Sequence, residues 1–211
     1  MSRTFNPKWC DSENPPEDPG DITVYDESNE LTYVARVEYD YLQRRRLFMQ
    51  WDTICVSVDG ACAGNGRVNV EPRAASAVYF GPESVYNWAG VLDRNVHRQT
   101  NVYADIFAVV RALRIFQENR SKGHRGWGQV DTIVVVTNST SVSDAMTDHI
   151  FRWEMSQYTN AKGETVKNWK VLQLLHDMIV DLESQEIQVL FWWVSREYNQ
   201  EADTLAHDVL Y

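Results

Sequence analysis

The chain has 211 residues, 44% of them hydrophobic, and a formal net charge of −10. That length fills one substantial core and is short for two. The acidic balance argues against a protein held on nucleic acid by bulk charge, whose footprint is a basic surface, and leaves room for a local basic stripe.

No apolar run reaches the roughly eighteen residues of a membrane span. Asp11, Glu13, Glu17 and Asp18 precede the first hydrophobic stretch, so neither a span nor a signal peptide is expected. Cys10, Cys55 and Cys62 form no CxxC pair and leave an odd thiol. A disulfide framework and a zinc site are therefore not expected, and the chain reads as intracellular in a reducing compartment, with cytoplasm, nucleus and mitochondrion undistinguished.

Residues 1 to about 30 carry Pro15-Pro16, Pro19-Gly20 and many acids with little apolar periodicity. They read as a mobile or loosely docked arm, and residues 1–50 as an N-terminal extension, partly disordered, ahead of a domain over 51–211. Leu31 to Arg36 can add a short strand, and Arg44-Arg45-Arg46 reads as a solvated charge run before it reads as a phosphate contact. Segments at 53–59, 74–80 and 86–92, broken by Gly64, Gly66 and Gly81-Pro82, predict a three-stranded meander.

A helix follows, capped by Thr100 or Asn101, with Ile106, Val109, Val110, Leu113 and Phe116 on one face. Ile133 to Val136 is continuously apolar, the pattern of a buried parallel strand. Ser139 to Met155 looks helical, and Asn168 caps a second amphipathic helix. Ile187 to Val194 makes a further strand before a last helix over about 199–210. This order predicts a mixed sheet with helices on its faces.

The strand Ile54 to Val58 runs into Asp59-Gly60-Ala61-Cys62-Ala63-Gly64-Asn65-Gly66, a carboxylate at a strand end beside a glycine-rich turn. Such a turn invites a metal and a phosphate. Asp203 in Asn199-Gln200-Glu201-Ala202-Asp203 is a distant partner, Asp105 supplies a third acid, and the fourth place reads Thr137-Asn138-Ser139, an amide where a carboxylate is wanted. The five histidines are scattered without cluster spacing and read as surface or packing residues. Of Trp192-Trp193, one ring must face the core, and packing is the better reading than base stacking.

From about residue 51 onward the chain resembles the type I ribonuclease H domain, in the manner of its fungal relatives, over roughly three quarters of its length. The resemblance rests on Asp59-Gly60-Ala61 with Gly64-Asn65-Gly66, Gln99-Thr100-Asn101 opening a helix, and Thr137-Asn138-Ser139 after an apolar strand. Val166-Lys167-Asn168 and Val194-Ser195-Arg196-Glu197 leading to Glu201-Ala202-Asp203-Thr204-Leu205-Ala206 complete it.

It implies an α/β fold with a mixed five-stranded sheet of order 3-2-1-4-5 and helices on both faces. It also implies cleavage of the RNA strand of RNA/DNA hybrids by two Mg²⁺ ions held about 4 Å apart. By position Asp59 would bridge both ions, Asp203 would serve the water-side ion, and Asp105 and Asn138 would hold the leaving-group ion. Asn65 would contact RNA 2′-hydroxyls in the minor groove and Thr100 a DNA phosphate. Asn101, Ser139 and Arg196 complete the expected substrate set. Trp153 and His149 fall where the family lays the DNA strand.

Against the family pattern, Asp105 stands where Glu is usual, a reach shorter by about 1.5 Å, and Asn138 stands where Asp is usual. Val102 and Thr140 replace two substrate-reading polar residues, and the histidine-bearing loop before the last acid is absent. Mg²⁺ tolerates little geometric error, and a displacement of about 1 Å can cost on the order of 10²-fold in rate. The expected function is therefore a ribonuclease H-type hydrolase that is attenuated or inactive, using Mg²⁺ or the more tolerant Mn²⁺ weakly at the second-ion place. Two further readings stand beside it: a pseudoenzyme that binds hybrid or duplex RNA, and a module holding a protein partner through the N-terminal extension.

Overall fold

The computed structural model describes residues 2–66 and 69–211. Its organising element is β3 (Arg45–Ala63), a strand of 19 residues that bonds to three neighbours. A hairpin of β1 (Thr23–Asp26) and β2 (Leu31–Tyr39) pairs antiparallel with its first half, and β4 (Arg73–Tyr79) pairs antiparallel with its second half. β5 (Trp88–Val91) follows on β4. On the opposite edge β6 (Thr132–Thr137) and β7 (Gln188–Trp193) add in parallel.

The path β5-β4-β3-β6-β7 is the expected 3-2-1-4-5 order. The β1–β2 hairpin raises the strand number from five to seven, because β3 begins near residue 45 and leaves an edge that β2 fills. β2 and β4 lie end to end there, joined where the Thr32 hydroxyl donates to the Phe80 carbonyl at 2.7 Å.

Strand alternation divides β3 between two cores. Ile54, Val56 and Val58 face α1 (Asn101–Ser121) and α4 (Trp169–Ser184) in the main core, with Val109, Leu113, Phe116, Leu175 and Ile179. Cys55 faces the other way. Thr100 caps α1 by accepting from the Tyr103 N–H at 3.3 Å.

The predicted helix over 139–155 is interrupted: α2 (Thr140–Asp144) passes into a π-helical turn (Ala145–His149) before α3 (Ile150–Met155). Asn168 stands at the N-cap of α4 but is left-handed, with φ 62°, and makes no side-chain cap bond. It is among the residues that line a surface groove.

Composition suggests a loose arm at the N-terminus; the structure seats residues 3–22 on the sheet. Thr4 forms a parallel bridge with Phe191, extending the free edge of β7. Phe5, Cys10 and Ile22 then pack with Val34, Val37, Cys55, Val134, Val136, Leu190 and Trp192, covering the part of the sheet that no helix reaches. Arg3 is buried and grips Glu183 through two bonds of 2.8 and 2.9 Å, with His176 at 3.0 Å. The apolar anchors are few and widely spaced, so no local periodicity announces them.

α5 (Gln200–Asp208) lies on the same face over β3 and β4. Ala61, Ala75 and Ala77 on the strands meet Ala206 and Leu210. These small side chains bring the helix close, and that closeness places Asp203.

Candidate active site

Asp59 sits in the second half of β3 and is buried, 5% exposed, on the face that α5 covers. Asp203, in the first turn of α5, brings its carboxyl group up to that of Asp59. The next residue, Gly60, faces α1. A Cβ there would lie 2.3 Å from the Asp105 nitrogen and 2.6 Å from its Oδ1. Glycine is thus what lets the first turns of α1 rest on the strand, and Asp105, 8% exposed, enters the site through that gap. β6 pairs in parallel with Ser57 against Val136, which carries Asn138 to the level of Asp59. Asp59, Asp105, Asn138 and Asp203 therefore meet from four separate elements.

The electrostatics are those of crowded, unneutralised acids. Burial, the Asp105 charge and the Asp203 carboxyl push Asp59 up to about 8. Burial pushes Asp105 up to about 6, opposed by the Ser139 hydroxyl and the Gly60 backbone. Among the described residues no cationic side chain pairs with Asp59 or Asp105. Asp203 has one, Arg196 at 2.5 Å, and the His207 ring also lies 3.6 Å away.

Asn199 completes the site and was not among the residues singled out by sequence. It is fully buried, and its Nδ2 donates to the Val58 carbonyl at 3.0 Å and to Asn138 Oδ1 at 2.9 Å. Its Oδ1 is left buried without a partner, a cost on the order of 1–3 kcal/mol. The only signal in the sequence is its place in the Asn199 to Asp203 run, where an Asn before a helix reads as a cap; it makes no side-chain cap bond.

Of the remaining predicted residues, Ser139 stands beside Asp105, and Arg196 pairs with Asp203. Thr100 and Asn101 lie at the start of α1, and Asn65 is exposed in the turn after β3. Trp192 is buried against Phe5, whereas Trp193 is 49% exposed and donates its indole N–H to the Asn138 carbonyl at 3.3 Å.

A groove of about 670 Å³ runs between α1, the π-helical turn and the start of α4. Arg98, Thr100, His149, Trp153, Lys167 and Asn168 line it. Arg98, which sequence did not single out, and Lys167 of the Val166-Lys167-Asn168 motif bring positive charge to this groove, which Asp144 also lines.

The model of the RNase H family matches residues 52–211. The chain belongs to the RNase H family. Its fold is also similar to that of solved structures. The foamy viral protease-reverse transcriptase in complex with dsDNA is similar at 19% identity and TM-score 0.53, over 74% of this chain and 93% of that one. The same viral protein in complex with an RNA/DNA hybrid is similar at 20% identity and TM-score 0.51, over 74% of this chain and 20% of that one. RNase H1 from the halophilic archaeon Halobacterium salinarum is similar at 18% identity and TM-score 0.44, over 75% and 97%. No curated protein matches.

Hydrolases of this family use divalent metals, and the fit of such ions here is unequal. Asp59, Asp105 and Asp203 offer the hard oxygen donors that Mg²⁺ or Mn²⁺ takes, and among the described residues no cationic side chain pairs with the two buried acids. Among the described residues no three acidic, histidine or cysteine side chains already close around one point. On the β6 side the donor is an amide whose oxygen is engaged by Asn199. The carboxylates around Asp59 offer an ion more than the uncharged amide of Asn138 does.

Proposed function

We propose that this RNase H protein hydrolyses the RNA strand of RNA/DNA hybrids with an attenuated, three-carboxylate site. The observation that carries this reading is the approach of Asp59, Asp105 and Asp203 to one strand end, beside a groove with a basic and aromatic wall. A divalent ion held by Asp59 with Asp203 or Asp105 would activate water and neutralise charge on the phosphate.

The chain's own residues supply the rest. Arg98, Lys167 and the α1 N-terminus with Thr100 offer positive charge and N–H donors to a strand backbone. Trp153 and His149 offer flat surfaces along the groove. Asn65 at the turn is the candidate for 2′-hydroxyl contact, which distinguishes RNA from DNA. Asp59 must be ionised to act, and in the metal-free protein its raised pKa makes protons compete with an ion for it.

One feature favours the neighbouring reading of hybrid binding without cleavage. Arg196 already gives Asp203 the positive partner that an ion would otherwise provide. Incubating the protein with an end-labelled hybrid in Mg²⁺ and in Mn²⁺ decides between them. Slow cleavage of the RNA strand, strongest in Mn²⁺ and abolished by Asp59→Asn, is the expected result. Tight hybrid binding with no cleavage in either ion would leave the binding reading in its place.

A further inference from the structure

Asn138 is held in one orientation. Asn199 has two side-chain N–H groups and spends both, one on the Val58 carbonyl and one on Asn138 Oδ1. The Val58 carbonyl can only accept, so it fixes which end of the Asn199 amide is nitrogen. That nitrogen in turn faces Asn138 and fixes its oxygen there, because turning Asn138 over would set two N–H donors against each other. The Asn138 backbone carbonyl is held as well, by the Trp193 indole. Asn138 Nδ2 donates to no described residue. Asn199 keeps this arrangement although its own oxygen is buried without a partner, the kind of exception that a local role explains.

We infer that Asn199 is a positioning residue that pins Asn138 with its amide nitrogen free, so that residue 138 offers a hydrogen-bond donor to a phosphate oxygen of the bound strand in place of an ion ligand. The pinning stands on the structure alone; the phosphate rests on the hybrid reading. The same frame makes Asn138→Asp a one-atom exchange: one carboxylate oxygen keeps the bond from Asn199, and the other replaces the free NH₂ as a potential ligand.

Two measurements on the full chain test this. Mn²⁺ titration followed by electron paramagnetic resonance, without nucleic acid, reads the ligand question. The unaltered protein and Asn138→Ala are expected to bind Mn²⁺ with affinities within about twofold, since the pinned amide gives no ligand, while Asn138→Asp gains about tenfold or a second ion. A fivefold loss in Asn138→Ala would make the amide oxygen a ligand and overturn the inference. Asn199→Ala releases the amide and is expected to tighten Mn²⁺ binding, a gain that disappears when combined with Asn138→Ala. A folded Asn199→Ala with unchanged or weaker Mn²⁺ binding overturns the pinning; should that variant not fold, the Asn138 pair still decides.

Fluorescence anisotropy with labelled hybrid in EDTA reads the donor. Asn138→Ala is expected to bind about tenfold more weakly than the unaltered chain, the scale of one hydrogen bond to a charged group, and Asn138→Asp more weakly still. Equal binding by the unaltered chain and Asn138→Ala overturns the donor role alone. Binding by none of them overturns the hybrid reading and the donor role together, leaving the Mn²⁺ pattern to judge the pinning.

Discussion

On the α5 side of the site, the carboxyl groups of Asp59 and Asp203 crowd together and Arg196 balances the outer acid; on the β6 side, Asn138 reaches the same level of the sheet with no charge. Both sides are positioned with equal care. Alanines at 61, 75, 77 and 206 draw α5 in, Gly60 admits α1, and Asn199 ties the end of β6 to β3. The scaffold is thus written in small side chains and buried hydrogen bonds, whereas the chemistry of each side depends on a few terminal atoms. One side of a site can lose its charge while its frame stays intact.

The largest effect that would break this comparison is at Gly60. Any Cβ meets the α1 backbone, so Gly60→Ala is expected to cost about 4 kcal/mol or prevent folding. Urea unfolding measures it, and near-native stability would show that α1 does not depend on the gap.

Next comes pH. Asp59 at about 8 and Asp105 at about 6 stand above the ordinary carboxyl value of 3.8. Their favourable contribution to the metal-free protein is complete below about pH 4 and is lost as pH rises through 6 and then 8. Stability should fall by roughly 1–2 kcal/mol per pH unit between pH 5 and 8, most steeply at the acid end, where both carboxyls contribute. Asp59→Asn, or added Mn²⁺, should flatten the fall. A flat profile in the unaltered metal-free chain would mean the acids are not crowded.

Arg3→Ala removes the guanidinium from Glu183 and His176, and is expected to cost about 2 kcal/mol. That is below the usual cost of breaking a buried pair, because Glu183 keeps some contact with water. Faster proteolysis within residues 2–22 would accompany the loss; resistance equal to the parent's would mean that Arg3 does not secure the arm. The smallest effect belongs to Trp193, whose exposed ring lies beside Asn138. Trp193→Ala should weaken hybrid binding by about 1 kcal/mol, the low end for a base stacked on an aromatic ring, and should leave unfolding unchanged.

Much of this site was legible in the sequence because its parts are local. An acid at a strand end, a Thr before a helix, and a continuously apolar run before Asn138 each have a short-range signature. The strand order followed from the succession of such elements and appears as β5-β4-β3-β6-β7. What escaped was long-range. Phe5, Cys10 and Ile22 look isolated until the bare face of the sheet is seen. Asn168 reads as a cap until its left-handed backbone is known, and the π-helical turn follows from packing that no periodicity reports. Asn199 looks like capping chemistry, and its partners are 61 and 141 residues away. Trp192 and Trp193 look equivalent until the arm buries one of them.

The most direct test of a site with one charged side and one neutral side is the initial rate of RNA-strand cleavage by the unaltered chain and by Asn138→Asp, on the same end-labelled hybrid with Mg²⁺. Restoring the carboxylate in its existing frame should raise the rate by about 10²-fold. An equal or lower rate in a folded Asn138→Asp variant would contradict the account, because the defect would then lie elsewhere than in the missing charge.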